Sequence, residues 1–247
     1  MFYFDEINGK KILKSDELSG VQHFFTTRQT VIKSKEPEME SVVLENKEDI
    51  IKYLNILPEN FIHPSQTHTS NIEIAEAGRT LYPDTDALIL TNNIQGIYLN
   101  FADCTPVILY DRIKNIAAVV HAGWRGTAGA IAAKTVRKMC MDFGCKAENI
   151  TAVIGPAISV CCYDVGQEVF DALKLTVNDF NGLYQERGGK VYVDLKAINA
   201  RQLEEAGVKN IDICPYCTVC DNDMFFSYRK ENATTNRHSA VVRLLEK

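Results

Sequence analysis

The sequence predicts a mixed α+β fold in which packed β-sheets are flanked by helices. Apolar residues make up 46% of the 247 residues and charged residues 24%, a balance typical of a chain with a sizeable core. After residue 60, short apolar runs alternate with amphipathic segments. They lack the regular strand–helix–strand rhythm and the G-x-G-x-x-G turn of a dinucleotide-binding fold. No segment has the composition of a linker, so residues 1–247 are expected to form a single domain.

The first predicted elements lie in and after a polar region. Residues 28–60 are expected to form an exposed loop followed by a helix around 47–56, where apolar residues recur at helical spacing. Residues 96–110 predict two strands interrupted at 102–106, because Pro106 has no N–H to donate to the centre of a sheet.

Short apolar runs and amphipathic stretches predict the remaining elements. Four further strands are expected, at 115–120, 151–155, 210–214 and 239–244. Three helices are expected, at 128–139, at 166–173, and in a segment that begins at an Asp194 cap and stops at Gly207.

Charge and composition exclude several classes of protein. The formal net charge is −5 and no block of Lys or Arg occurs, whereas a nucleic-acid binder needs a basic face. Asp5 and Glu6 follow the first four residues directly, which is not the pattern of a secretory signal. No apolar run is long enough to span a membrane. The eight cysteines are therefore expected to be reduced thiols in a cytoplasmic protein.

Side chains that can bind a metal occur in three segments, each at a predicted strand end or strand break. Residues 65–69 contain His68, residues 102–106 contain Cys104, and His121 opens the sequence HAGWRG. Two imidazoles and one thiolate are a chemically sensible Zn²⁺ site with a fourth position open, and Cu²⁺ also binds such ligands. Taken singly, His68 is equally compatible with a hydrogen-bonded structural histidine, and Cys104 with an inert buried thiol.

Residues next to these ligands are candidates for binding and catalysis. A strand-to-helix turn with two glycines places Arg125 beside a helix N-terminus, which suits an anion such as phosphate. Gln66 lies in the His68 segment and is expected to contact substrate. Asp103 precedes Cys104, and in a regular strand it would point to the opposite face. A strand break removes that restriction, leaving an acid–base role for Asp103 or a hydrogen bond to the second ring nitrogen of a ligand histidine.

Several longer motifs resemble those of the YfiH/YlmD family, the laccase-domain proteins interpreted as purine nucleoside phosphorylases. The motifs are QTHTSNI (66–72), DTDALIL (84–90), FADCTPVILYD (101–111), VVHAGWRGTAGAI (119–131), IGPAISVCCYDVGQEV (154–169) and FFSYRKE (225–231). The combination of HAGWRG with ADCTPV is specific to this family, and the resemblance covers nearly the whole chain.

The resemblance implies an activity, a metal and a fold. It implies phosphorolysis of adenosine, inosine and methylthioadenosine with some adenosine deamination, so that the partners are a small nucleoside and phosphate. The family's metal ligands correspond to His68, Cys104 and His121, and Cys104 and His121 are also expected to be catalytic. The implied fold is similar to that of a bacterial glutamine-deamidating toxin domain.

One departure from the family pattern affects Arg28. The family continues its FFTR segment with a Gly-Gly-Val-Ser stretch, whereas residues 23–37 here keep Arg28 and lack the glycines. Arg28 corresponds to a substrate or phosphate contact, and with Arg125 it is predicted to grip phosphate through its guanidinium group.

Three other groups of residues are interpreted as structural. Cys214, Cys217 and Cys220 form a C-x-x-C-x-x-C run that looks like a metal knuckle but has no second ligand cluster in sequence. They are expected to line a loop near the active site, and a separate metal site is the alternative. The adjacent Cys161 and Cys162 are expected to pack. The aromatic residues of FFSYR are interpreted as a strand end, although stacking on a purine is also compatible with them.

Three other functions are compatible with parts of this pattern. A cysteine hydrolase or deamidase would use Cys104 as nucleophile and His121 as base, making His68 incidental. A copper-binding polyphenol oxidase would need many more histidines than the five present if it carried a multicopper cluster. A binding protein without enzymatic activity is the third.

Overall fold

The computed structural model describes residues 1–246. Strands and helices are numbered in chain order. The strands are β1 (Phe2–Ile7), β2 (Lys10–Ser15), β3 (Val21–Thr26), β4 (Phe61–Ile62), β5 (Ile72–Ala75), β6 (Ala87–Leu90), β7 (Gly96–Phe101), β8 (Thr105–Asp111), β9 (Ile116–Ala122), β10 (Ile150–Ile154), β11 (Asp164–Val165), β12 (Tyr184–Arg187), β13 (Lys190–Val193), β14 (Asn210–Ile213) and β15 (His238–Leu244). The α-helices are α1 (Glu40–Leu54), α2 (Trp124–Ala128), α3 (Ile131–Phe143), α4 (Gln167–Lys174) and α5 (Leu195–Glu205).

Two six-stranded sheets form the frame of the molecule. The first has the order β1-β2-β3-β15-β7-β4 and is antiparallel except where β4 pairs with β7. The second has the order β14-β10-β8-β9-β6-β5, with parallel pairs at its two edges. A small third sheet, β11-β13-β12, lies apart from both. The predicted α+β class with mixed sheets is confirmed.

The central strands of the second sheet are covered on both faces. Every residue of β8 and β9 is buried, as their nearly continuous apolar sequences require. One face packs against the first sheet, and the shared core includes Phe25 and Leu99 from the first sheet with Ile108 and Val119 from the second. The other face packs against buried residues of α3 and α5.

Most predicted elements are present, with shifted limits. The strand break is confirmed but spans only residues 102–104, so Pro106 lies inside β8. Pro106 is tolerated because it is beyond the β10 pairing, and its carbonyl accepts a bond from the Gly155 N–H at 2.8 Å. The helix expected around 47–56 begins earlier, at Glu40.

The helix predicted at 128–139 is wrong in its limits. Ala130 adopts a left-handed backbone with φ of 52°, which ends α2 at Ala128 and lets α3 begin at Ile131. The predicted Asp194 cap is confirmed, because its side chain accepts a bond from the Ala197 N–H at 3.0 Å. Among helices within residues 1–246, none has both the length and the apolar character needed to cross a bilayer.

Candidate metal centre and adjoining cavity

The turn between β7 and β8 presents Cys104 at the seam between the two sheets. Asp103 lies in this turn with φ of 82°, a strained conformation for a residue with a side chain. Its carboxylate accepts bonds from the Thr218 hydroxyl at 2.6 Å and the Arg229 N–H at 2.7 Å, and its carbonyl accepts one from the Ile158 N–H at 3.0 Å. These bonds hold the turn in the conformation that exposes Cys104.

His121 lies near the end of β9, and its ring is fixed by Asp86. The His121 Nδ1 atom is 2.7 Å from an Asp86 carboxylate oxygen, and the His121 N–H donates to the Asp86 carbonyl, also at 2.7 Å. Asp86 precedes β6, the strand that pairs with β9. A carboxylate on one ring nitrogen leaves the other nitrogen of His121 directed at a ligand.

Asp86 also shapes the loop that carries His68. Its carboxylate accepts bonds from the His68 N–H at 3.1 Å, the Thr69 N–H at 2.7 Å and the Thr69 hydroxyl at 2.8 Å. His68 itself has a left-handed backbone with φ of 63°, and these bonds support that conformation. Burial opposes ionisation, but the bonds from His121 and Thr69 outweigh it and lower the pKa of Asp86 to about 2.

The three predicted metal ligands converge. The potential ligand atoms of His68, Cys104 and His121 all lie within 4.8 Å of one another. The two imidazole rings meet edge to face with their centroids 4.8 Å apart. Burial alone would raise the pKa of Cys104, but the neighbouring imidazoles reverse the effect and lower it to about 6. The sulfur is therefore a thiolate at neutral pH, the form that binds metal.

Gly123 leaves room for this cluster. A Cβ atom built on Gly123 would lie 2.9 Å from the Cys104 sulfur and 3.3 Å from the His68 ring. The first glycine of HAGWRG is therefore required by close approach to the ligands, since its φ of −66° is open to any residue. Two imidazoles, a thiolate and a carboxylate behind one imidazole fit a zinc ion.

A cavity of about 700 Å³ adjoins the cluster and includes all three ligands in its wall. Four cationic side chains line it: Lys33, Lys35, Arg229 and Arg237. Aromatic surface comes from His63, Tyr163 and Tyr228. A concave site with apolar walls and a few convergent polar groups is typical of small-molecule binding.

The other predicted site residues differ in their relation to the cavity. Gln66 and Asp103 line it. Both ends of the Gln66 amide are bonded to the backbone of Asn100 at 2.8 Å, and both oxygens of Asp103 accept the bonds described above. Asp86, rather than Asp103, holds the ring of His121.

Arg28 and Arg125 are outside the set of cavity-lining residues found within 1–246. Arg28 forms an ion pair with Glu231 at 2.6 Å and stacks on Phe226. Arg125 is exposed and stacks on Trp124. The phosphate-binding roles of both arginines stay predictions.

The residues missed by sequence analysis are Asp86 and three of the cavity cations, Lys33, Lys35 and Arg237. A carboxylate directly before the wholly apolar ALIL strand was the available signal for Asp86. The FFSYR segment combines both interpretations: Phe225 and Phe226 are buried, whereas Tyr228 and Arg229 line the cavity.

Comparison with known proteins identifies the family. Residues 22–245 match the family model described as multi-copper polyphenol oxidoreductase laccase. The chain belongs to this family. A family member from Bacteroides thetaiotaomicron, named purine nucleoside phosphorylase, is 30% identical over 257 residues, covering 92% of this chain and 94% of the relative. Another, from an unknown prokaryotic organism and named adenosine deaminase RL5, is 35% identical over 210 residues and 79% of each chain.

Solved structures of the family agree with the fold. The crystal structure of Bacillus licheniformis hypothetical protein YfiH aligns with a TM-score of 0.89 and 28% identity, covering 98% of this chain and 99% of that one. The structure of YlmD from Geobacillus stearothermophilus aligns with a TM-score of 0.88 over the same shares. The predicted resemblance to the YfiH/YlmD family is confirmed. Because relatives matching most of the chain are named as enzymes, the protein is an enzyme.

Proposed function

We propose that the protein is a zinc-dependent purine nucleoside phosphorylase that cleaves adenosine, inosine and S-methyl-5′-thioadenosine with phosphate, and that it also deaminates adenosine. The observation that carries the proposal is the convergence of His68, Cys104 and His121 in the wall of a cavity that is also lined by cations. Relatives named purine nucleoside phosphorylase and adenosine deaminase support the choice of reaction.

The cationic wall of the cavity is suited to phosphate. Arg237 donates to the carbonyls of Thr234 at 2.5 Å and Asn236 at 2.7 Å, so its guanidinium group is held in place. Arg229 shares its charge with Asp164 at 2.6 Å. Lys33, Lys35 and Arg237 are therefore the residues that would neutralise most of the charge on phosphate.

The aromatic wall is suited to a purine base. Tyr228 is half exposed and lines the cavity together with Tyr163, so the wall offers aromatic surface on which a base can stack. Burial, reinforced by the nearby Cys104 charge, raises the pKa of Tyr163 to about 12. Its phenol therefore keeps its proton at neutral pH and can donate a hydrogen bond to a leaving purine.

Phosphorolysis forms a bond from a phosphate oxygen to the sugar C1′ and breaks the bond to the purine nitrogen, and the departing base takes up a proton. The cations orient phosphate and offset its charge, and the aromatic residues hold the base. Asp103 supports the Cys104 turn, with both carboxylate oxygens already engaged. A zinc ion on the three ligands would supply Lewis acidity. Cu²⁺ can occupy the same donor set.

The presence of two imidazoles favours the metal proposal over a cysteine hydrolase. A nucleophilic Cys104 needs one base, and His121 with Asp86 behind it would be sufficient. His68 is placed against Cys104 at the cost of a left-handed backbone, and the dyad gives it no role. A metal site with three protein ligands gives His68 a role.

A phosphate-dependent assay on protein of known metal content tests the proposal. Free base and sugar phosphate should appear from the three nucleosides only when phosphate is present, and Cys104→Ala should abolish both the products and zinc binding at the cavity. Cys140→Ala is the matched control, because Cys140 lies on α3 away from the cluster. Turnover that persists without metal and is blocked by thiol alkylation would instead identify the Cys104–His121 dyad.

We propose that the enzyme acts in the cytoplasm. The eight cysteines, all within the described residues, carry no disulfide. Such unpaired thiols are typical of a reducing compartment.

A further inference from the structure

Four cysteines outside the proposed active site come together on the surface. The sulfur atoms of Cys161, Cys162, Cys217 and Cys220 all lie within 4.8 Å of one another. Cys161 and Cys162 were expected to pack, but Cys161 is exposed and Cys162 is only half-buried, and their sulfurs lie beside those of Cys217 and Cys220 in the C-x-x-C-x-x-C run. Cys214, the first residue of that run, is buried in the core between the sheets and takes no part.

The distances between the sulfur atoms match a mononuclear tetrahedral centre. A zinc–sulfur bond of about 2.3 Å places tetrahedral thiolates about 3.8 Å apart. The Cys220 sulfur is 3.5 Å from that of Cys162 and 3.7 Å from that of Cys161. A disulfide needs about 2 Å between its sulfurs, and a cluster of several iron atoms spreads its thiolates further apart than one ion does.

The backbone around the cluster is arranged for thiolates. The Ser159 N–H donates to the Cys217 sulfur at 3.4 Å, and the backbone N–H groups of Val219 and Cys220 also bond to it. Cys161 and Cys162 lie in a turn, closed by the bond from the Cys162 N–H to the Ser159 carbonyl, so neighbouring side chains need not point in opposite directions. Donors aimed at a sulfur stabilise its charged form.

Two cations brace the turns that carry these cysteines. Arg187 donates to the carbonyls of Val160 at 3.1 Å and Cys161 at 2.9 Å. Lys230 donates to the Val219 carbonyl at 2.9 Å. Four thiolates with one divalent ion carry a net charge of −2, and these two side chains offset it.

We propose that Cys161, Cys162, Cys217 and Cys220 bind a second, structural Zn²⁺ ion. With four protein ligands the site is closed, in contrast to the three-ligand centre at the cavity. The ion clamps the 159–163 turn to the 217–220 turn, which are otherwise joined by the bridge between Ala157 and Cys217. Because Tyr163 and Arg229 follow these turns into the cavity, the ion would also fix part of the substrate-binding wall.

Metal content measured with matched cysteine variants tests this proposal. Protein purified with zinc and a thiol reductant should contain two zinc ions per chain. Cys162→Ser and Cys220→Ser should each contain one and melt several degrees lower, His68→Ala should also contain one, and Cys140→Ser should keep two. Loss of the second ion is thus measured independently of whether the cavity site is catalytic.

Cobalt substitution gives a second measurement that does not depend on a variant being soluble. His68→Ala loaded with Co²⁺ should show the intense visible bands of tetrahedral cobalt and strong thiolate-to-cobalt charge transfer in the near ultraviolet. The proposal is overturned if wild-type protein holds a single ion that His68→Ala removes. It is also overturned if all four thiols react with an alkylating reagent in zinc-loaded native protein as fast as in chelator-treated native protein.

Discussion

Asp86 forms hydrogen bonds with two of the segments that carry the proposed metal ligands, those of His68 and His121. One oxygen of its carboxylate receives the ring of His121 and the N–H of His68, while the other receives Thr69. The residue is completely buried, so each of these bonds is made where water cannot replace it. Two ligands from separate segments are therefore oriented by one side chain.

Replacing Asp86 by Asn should weaken zinc binding at the cavity and reduce turnover by about 10- to 100-fold each. The amide of Asn offers one acceptor oxygen where the carboxylate of Asp86 offers two. It also lacks the negative charge that stabilises a metal-bound imidazole. Zinc affinity measured by competition with a chromophoric chelator and kcat for adenosine phosphorolysis provide the readouts. Asp84→Asn is the control, since Asp84 is exposed and two residues away. Equal effects of the two substitutions would contradict the role of Asp86.

Gly123→Ala tests whether the ligand cluster needs the space above it. The added methyl group would contact the Cys104 sulfur at 2.9 Å, so the thiolate or the His68 ring must shift, with an expected loss of about 10- to 100-fold in activity. Gly166→Ala is a close control, because both glycines precede a helix with extended backbones and Gly166 has no heavy atom within 4 Å of its Cβ position. If Gly123→Ala keeps full zinc content and full activity, the contact is unimportant.

At the scale of elements, the β2–β3 hairpin contains a buried neutral histidine. The Ser15 N–H donates to His23 Nε2 at 3.1 Å, so that nitrogen is an acceptor, and Nδ1 faces the Val21 carbonyl at 3.4 Å. Protonation of His23 would direct an N–H of its ring at the N–H of Ser15 in a buried site. The pKa of His23 is lowered to about 4, mainly because burial disfavours the charged form of the ring.

The hairpin should therefore destabilise the fold in mild acid. The folded chain binds fewer protons than the unfolded chain at His23, so its contribution is complete above about pH 6.5 and is lost as the pH falls towards about 4. Protonation linked to His23 should lower the free energy of unfolding by about 2 kcal/mol between about pH 7.5 and about pH 5. Urea unfolding at both values measures it, and His23→Gln should show a correspondingly smaller loss. The same pH dependence in both proteins would assign the effect to other groups.

Elements that depend on residues close together in the sequence were predicted more readily than elements that depend on contacts between distant segments. The Asp194 cap and the break before Thr105 depend on neighbours in sequence and were predicted. The break between α2 and α3 was missed although Gly129 caps the end of α2, because the left-handed residue itself is Ala130, which has a side chain that disfavours this conformation. Strands β1 to β3 were not predicted. Of these, β1 is largely exposed and gains its order from pairing with β2.

The same distinction applies to the sites. Cys104 and His121 lie at strand ends and His68 lies in the loop between β4 and β5, and side-chain chemistry alone made the three residues candidates. The link from Asp86 to His121 depends on the pairing of β6 with β9 across 35 residues. The four-cysteine cluster depends on a bridge between Ala157 and Cys217, so the C-x-x-C spacing of Cys217 and Cys220 indicates only half of it.

For the whole molecule, the two sheets pack closely at a point beside the Cys104 turn. Gly155 directly follows β10 of the second sheet, and a Cβ atom there would lie 2.2 Å from the ring of Phe25 on β3 of the first sheet. The next residue, Pro156, accepts a bond from the buried His238 ring at 3.2 Å, so this point joins the sheets close to the Cys104 turn. A side chain at 155 would have to push the sheets apart or rotate Phe25.

Gly155→Ala should therefore lower the unfolding free energy by about 1–3 kcal/mol, because extra volume in a close-packed core forces strained rotamers or backbone shifts. Gly166→Ala, on the surface, should change it by less than about 0.5 kcal/mol. Adding Phe25→Leu to Gly155→Ala should recover part of the loss, since a smaller side chain removes the clash, and a double-mutant cycle in urea measures that coupling. Additive effects of the two substitutions would show that the ring and the glycine do not determine each other's packing, and that the sheets accommodate the methyl group elsewhere.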